Sequence, residues 1–427
     1  MAWLRDLVYL LAAIVMAPVW AWRAISRGKN RGDWAARFGR THLRPTDRPT
    51  VLIHGVSVGE VNAIRLLVRE LEQRYRDDVR LVISATTDTG IARARQLYET
   101  RHEVVRYPFD FSLAVRRFLR SIQPDLVALV ELEVWPNFSA ACGQRGIDLI
   151  VINGRLSDRS FRGYRRFRPL VRSMFARLTR ACVQDEAYAR RFAELGTLPQ
   201  RIDVAGTMKW DNARITDSVE GTAALAQAMG IDRDRPLVVC GSSGPGEETL
   251  FREHLADLID GDGRPVQLLV APRKPERFDE AAEALGQPIR RTTCPDGTVR
   301  QPGQGDVFLL DTLGELAKAY GLADVAVVGR SFCPLYGSDM TEPIALGRPT
   351  VIGPNTSDFA DMMAKLLAGD GIVQVADGQA LREAVEHLLS DPVRAGQLAS
   401  NGRAVIRANQ GATMRHAQVI ADLLGRR

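Results

Sequence analysis

At 427 residues the chain is too long for one ordinary hydrophobic core, and its length predicts two domains. With 45% apolar and 25% charged residues the composition is that of a soluble globular protein, which sets aside fibrous and disordered classes. A net charge of +6 predicts an anionic partner: nucleic acid, a membrane surface or a phosphorylated substrate. The five cysteines (Cys142, Cys182, Cys240, Cys294, Cys333) are far apart, odd in number and form no CxxC, so they read as reduced thiols. The six histidines show no metal-ligand spacing, and no metal or cofactor is expected.

The first feature along the chain is Leu7 to Trp22, sixteen uncharged and mostly apolar positions with Pro18, Trp20 and Trp22. A tilted span, a signal peptide and a buried surface helix compete for a run of this length. No small-x-small cleavage site follows, and the basic residues (Arg23, Arg27, Lys29, Arg31) come after the run. That order predicts a membrane anchor over residues 1–30, with the following domains kept cytoplasmic.

From Thr50 onward strand-like runs alternate with helical patterns. Thr50 to Ile53 enters His54-Gly55-Val56-Ser57-Val58-Gly59-Glu60. Val61, Ile64, Leu67, Val68 and Leu71 then share one helical face. This is a buried strand, a tight turn and a helix entrance, where backbone N–H groups point at a ligand above the sheet. Glu60 is the candidate for chemistry. Ser57 to Glu60 is also a capping box, in which Glu60 reaches back to a backbone donor.

Further strands are expected at Leu81–Ser84, Val104–Val105, Asp125–Val130, Leu149–Ile152, Ala181–Val183 and Ile202–Val204. Tyr107-Pro108-Phe109-Asp110 follows the Val104 run. After the polar stretch Asn212–Thr222 the alternation restarts at Pro236–Cys240, Gln267–Val270, Val307–Leu310, Val325–Val328 and Thr350–Ile352. Two successive halves of this kind predict an α/β architecture of two Rossmann-like domains facing a cleft, 31–212 and 213–401. Residues 402–427 form a last helical stretch, Gly402 to Leu424, long enough to fold back over the first domain.

Several constellations sit at strand ends. Glu131 and Glu133 close the Asp125 strand, where ligands bind in parallel sheets. Gly241 to Glu248, with Ser242 and Ser243, joins a strand to a helix and fits either a phosphate-holding loop or a structural turn. It lacks the lysine of a P-loop. Glu342 starts a helix where a carboxylate either binds ribose hydroxyls or complements the helix dipole. Between Arg155 and Arg180 there are nine arginines and one acid, Asp158, interleaved with Phe161, Tyr164 and Phe167. That surface fits phosphates or a membrane, and no RNP or other nucleic-acid motif accompanies it.

Taken in order, these pieces resemble the 3-deoxy-D-manno-octulosonic acid (Kdo) transferases. The resemblance runs through His54–Glu60, Glu131–Asn137, Gly154–Ser160, Gly206-Thr207-Met208-Lys209-Trp210-Asp211, Gly241-Ser242, Pro272–Arg277, Asp311–Leu316 and Glu342-Pro343. It implies an inverting, metal-independent, membrane-anchored GT-B enzyme of the inner membrane. That enzyme moves Kdo from CMP-Kdo to a lipid A precursor (lipid IVA) in lipopolysaccharide synthesis.

By the resemblance Glu60 is the general base. Ser57, Gly59, Glu131, Glu133, Arg155, Ser157 and Lys209 lie on the acceptor or sugar, and Ser242, Ser243, Arg273, Lys274, Ser331 and Glu342 on the nucleotide. The chain departs from the family in one loop. Tyr336-Gly337-Ser338-Asp339 replaces Gly-Gly-His-Asn and sets an anion where the family has an amide. Lys274 replaces a histidine. The alternatives are a GT-B paralogue using another activated sugar, a UDP-sugar transferase or epimerase, and a non-catalytic membrane-associated binding protein.

Overall fold

The computed structural model describes residues 5–7, 9–11, 22, 33–303 and 305–425. Most of the predicted anchor lies outside the described residues. Among those residues no helix is long and apolar enough to cross a membrane. The chain divides into two compact units, one of residues 1–212 with 410–427 and one of residues 213–409.

The first unit is built on seven parallel strands: β1 (Thr50–Gly55), β2 (Arg80–Ala85), β3 (Glu103–Arg106), β4 (Leu126–Val130), β5 (Asp148–Gly154), β6 (Arg180–Val183) and β7 (Ile202–Val204). Their order is β3-β2-β1-β4-β5-β6-β7, so the direction of winding reverses between β1 and β4. The strands read as unbroken apolar runs because helices cover both faces. β1, for example, is buried at all six positions. Val61, Ile64, Leu67, Val68 and Leu71, the face predicted from spacing, are all fully buried. The helix carrying them is interrupted at Ile64, giving Val58–Ala63 and Arg65–Tyr75.

The second unit repeats the plan with β8 (Leu237–Ser243), β9 (Gln267–Pro272), β10 (Ile289–Arg290), β11 (Val307–Leu309), β12 (Val325–Val328), β13 (Thr350–Ile352) and β14 (Val373–Gln374). The order is β10-β11-β9-β8-β12-β13-β14, and the winding reverses between β8 and β12. In both units the point of reversal opens at the carboxyl ends of two adjacent strands, where this class of sheet binds ligands.

The stretch Gly402–Leu424 is not one helix, and the boundary at 402 falls inside a helix. Pro392–Asn409 belongs to the second unit, the chain turns at Gly411 (φ +95°), and Ala412–Leu424 packs on the first. Only glycine adopts that φ without strain. Asp211 receives the amides of Gly411 and Thr413, both at 2.6 Å, and so fixes the start of the last helix. Further along, buried His416 accepts the Asn153 amide on Nε2 at 2.6 Å, while Ala412 O lies 2.6 Å from its Nδ1. Burial lowers its pKa to about 4, which keeps the ring neutral for this acceptor role.

Candidate active site

Glu60 follows β1, and Glu131 and Glu133 follow β4, so the point of reversal in the first sheet brings three carboxylates to one rim. Glu60 is firmly held. Its Oε2 accepts the Val56 amide at 2.7 Å and its Oε1 accepts the Ser57 hydroxyl at 3.0 Å. The capping box therefore exists, and each carboxylate oxygen keeps a second lone pair for another donor. Burial pushes the Glu60 carboxyl up to about 7; the Val56 amide opposes the rise, and Glu131 and Glu133 add to it. A pure cap on an open surface would sit near its ordinary value.

The two partner carboxylates are placed differently. Glu131 takes a left-handed backbone (φ +59°), and its amide donates to Ile152 O at 3.0 Å. Glu133 accepts Trp135 Nε1 at 2.8 Å; burial raises its pKa, with Trp135 opposing and Glu131 adding. His54, beside this rim, is buried and stacked on Tyr107 at 3.7 Å between ring centroids. Desolvation lowers its pKa to about 3, so it stays neutral and is not a base at physiological pH.

The other acceptor-side candidates lie along the same rim. Gly59 is in the exposed first turn after β1, and Arg155 and Ser157 follow β5. Ser157 caps the helix Asp158–Arg166, accepting the Ser160 amide at 3.3 Å. Half-buried Lys209 comes after Met208, whose amide is bound by Asn153 Oδ1 at the end of β5. The arginine-rich helix Asp158–Arg166 buries no residue, and Phe167 and Leu170 beyond it are exposed.

In the second unit Ser242 and Ser243 end β8, Arg273 and Lys274 follow β9, Ser331 follows β12, and Glu342 opens the helix Thr341–Ala345. Arg273 is exposed and makes no salt bridge among the described residues. The protein around the Glu342 carboxyl raises its pKa; Asp339 adds to the rise and Arg273 opposes it. These three side chains therefore share one electrostatic neighbourhood. Asp339, just before the N-cap Met340, accepts the Thr341 amide at 2.9 Å and its hydroxyl at 2.7 Å on one oxygen, and so holds the start of the Glu342 helix. An asparagine oxygen would accept the same pair, so the departure in this loop keeps the contact with Thr341.

Two of the expected nucleotide ligands are committed elsewhere. Ser331 is fully buried; its hydroxyl donates to Val328 O at 2.6 Å and accepts the Gly353 amide at 2.8 Å. Ser243 donates to Glu248 at 2.6 Å. The Gly241–Glu248 loop also does not present all its amides bare. The buried Glu247 carboxylate accepts from Gly244, Arg330, Ser331 and Phe332 at 2.5–2.8 Å, welding the end of β8 to the end of β12. Glu248 in turn holds Arg277 through two bonds of 2.8 and 2.9 Å. Glu247 and Glu248 were visible in sequence only as acids in a helical first turn. Lys274 is exposed, 3.7 Å from Glu276.

Left-handed backbone at non-glycine residues recurs at these strand ends: Glu131, Asn153, Ser242 and Arg330 have φ of +52° to +60°. Each costs about 1–3 kcal/mol, a strain that concentrates at functional sites.

Residues 32–212 match the family model described as 3-deoxy-D-manno-octulosonic-acid transferase (kdotransferase). The chain is 33% identical over 440 residues to the 3-deoxy-D-manno-octulosonic acid transferase of Bordetella pertussis, covering 98% of this chain and 99% of that one. It belongs to the Kdo transferase family. This Kdo transferase is a glycosyltransferase, and its two parallel seven-stranded sheets have the GT-B fold. Solved structures with that fold include Anabaena Alr3699/HepE in complex with UDP (TM-score 0.57, 15% identity, 89% of this chain and 100% of that one). MurG of Acinetobacter baumannii is another (TM-score 0.56, 13% identity, 88% and 99%). Among the described residues of the Kdo transferase no group of three or more His, Cys, Asp or Glu could hold a metal ion.

Proposed function

We propose that this Kdo transferase moves Kdo from CMP-Kdo to a lipid A precursor with inversion, using Glu60 as general base. The observation that carries the reading is the Glu60 carboxyl, raised to about 7 yet fixed by Val56 and Ser57 at the point of sheet reversal. A base with a pKa near the working pH transfers protons most effectively.

In the step proposed, a Glu60 oxygen takes the proton of the acceptor hydroxyl. That hydroxyl oxygen bonds to the anomeric carbon, and the bond from that carbon to the phosphate oxygen of CMP breaks with its electron pair. Glu131 and Glu133 orient the acceptor and sugar hydroxyls. The leaving phosphate needs fixed positive charge, which Arg273 supplies without a competing ion pair among the described residues. Glu342 accepts from the ribose hydroxyls. Arg155, Lys209 and the arginines that follow suit the phosphates of the acceptor.

The same reading places the enzyme at the inner membrane, held by its N-terminal segment with both catalytic units on the cytoplasmic face. Support comes from exposed Leu7, Leu10, Leu11, Trp34 and Phe38 on the first unit, and from exposed Phe167 and Leu170 directly after its arginine-rich helix. The test is transfer by the purified enzyme in detergent, with CMP-Kdo generated in situ and lipid IVA as acceptor, wild type against Glu60→Gln. Product from wild type and none from the variant is expected. Equal turnover by the two would remove Glu60 from the chemistry, and no turnover by folded wild type would remove this donor.

A further inference from the structure

We propose that the N-terminal segment, beyond any anchoring, positions the Glu131–Trp135 loop by locking the helix that follows it. The inference rests on reading Glu131 and Glu133 as acceptor-side residues.

The helix Pro136–Arg145 begins directly after that loop, and its N-cap residue Trp135 makes no side-chain cap bond. The open amides of Asn137 and Phe138 are instead taken by Asp110, from the loop after β3, at 2.9 and 2.8 Å. Asp110 is itself held from the N-terminus: the Tyr9 hydroxyl donates to its Oδ2 at 3.0 Å, and the Tyr9 ring meets Phe111 edge-on at 6.0 Å.

Two further side chains of the segment close the arrangement. Arg5 donates to Pro136 O at 2.8 Å, the last carbonyl before Asn137. Asp6 accepts the Ser112 amide and the Asn137 side-chain amide, each at 2.9 Å, and also binds the Ser112 hydroxyl. Asn137 thereby bridges Asp6 and the Asp110 carbonyl (2.6 Å) through one NH2 group. It is buried, and among the described residues its own oxygen has no partner, so its donors fix its orientation.

The loop is therefore pinned at both ends. At Glu131 its amide is tied to β5, and at Pro136–Asn137 it is tied to residues more than a hundred positions earlier in the chain. An acid that caps a helix from another segment transmits any shift of that segment to the helix start, because the amides have no local substitute. Arg5, Asp6 and Tyr9 are positioning residues in this sense.

The experiment uses the full chain in detergent, with Tyr9→Phe and Asp6→Ala/Tyr9→Phe compared with wild type. Tyr9→Phe keeps the ring on Phe111 and removes only the oxygen, so it carries the test if the double variant fails to fold. Amide hydrogen exchange of residues 131–138 is expected to quicken tenfold or more in the double variant. Acceptor KM should rise at least fivefold with donor KM unchanged, and Asp6→Asn, which keeps one acceptor oxygen, should restore most of the loss. Unaltered exchange in the loop, or an equal change of donor and acceptor KM with a general loss of stability, overturns the proposal. The acceptor-side reading fails separately, if Glu133→Gln in an otherwise unaltered chain leaves acceptor KM where it was.

Discussion

The Ser57 hydroxyl donates to Glu60 Oε1 at 3.0 Å, and the Glu60 amide lies 3.5 Å from Ser57 Oγ, so the two residues close a capping box around the turn after β1. The box gives the carboxylate one position. Burial, with Glu131 and Glu133 adding, gives it a raised pKa that a structural cap does not need. A side chain that caps a helix is thus also pre-organised to take a proton.

The first prediction concerns rate against pH. General-base catalysis needs Glu60 ionised, and its pKa is pushed up to about 7. The logarithm of kcat/KM should therefore rise with unit slope below pH 7 and level off above it. His54 and His416, lowered to about 3 and 4, do not contribute to that limb. Glu60→Gln should cost about 10²–10⁴-fold in rate and abolish the limb. A variant that retains the same limb would assign it to another group.

The second prediction concerns stability. A carboxyl whose folded pKa lies above its unfolded value binds protons more readily when folded. Stability from this group is then fully present below about pH 4.5 and is lost as pH rises through 7. Glu60→Gln removes that dependence. Discounted for partial exposure, urea unfolding should find the variant gaining on wild type by about 1–3 kcal/mol between pH 4 and pH 8. Asp110, raised to about 6 by burial, contributes equally to both proteins and cancels. A difference independent of pH would show that the Glu60 carboxyl is not destabilised by folding.

The third prediction concerns the donor. Asp339 binds Thr341 at the start of the Glu342 helix with an oxygen that asparagine also has, while its charge adds to the raising of Glu342. Asp339→Asn should keep the bonds to Thr341 and reduce repulsion of an anionic donor, lowering donor KM by about two- to tenfold at low salt, with less effect at high salt. Arg273→Ala should move donor KM the other way. Weaker donor binding by Asp339→Asn would mean that the negative charge itself serves the site.

Much of this was legible in the chain. β1, β4, β5, β8 and β12 are continuous apolar runs ending in turns, and candidate acids placed at strand ends fall on the rims where they were sought. The edge strands β10 and β14 are two residues long and carry no periodicity to detect. Glu247 was hidden for another reason. Three of its four donors lie 83–85 positions away, and nothing local marks such a partner. The same holds for Asp6 and Asn137, 131 positions apart. Gly411 did carry a signal, but the apolar periodicity on either side of it reads as one helix.

The last prediction follows from Glu247. Its carboxylate satisfies four backbone amides at the junction of β8 and β12, where Gly329 approaches so closely that a Cβ would lie 2.7 Å from Ser243 Cα. Removing the acid strands those donors in a place that admits no replacement side chain from the neighbouring strand. Glu247→Ala should therefore destabilise the second unit by about 3–5 kcal/mol in urea unfolding. Glu280 is the control: its carboxylate is bonded too, to the Arg277 side chain, but it is 61% exposed. Glu280→Ala should change stability by less than about 0.5–1 kcal/mol. Comparable losses at the two positions would mean that the amides around Glu247 find other acceptors, and the junction would then owe its geometry to strand packing instead.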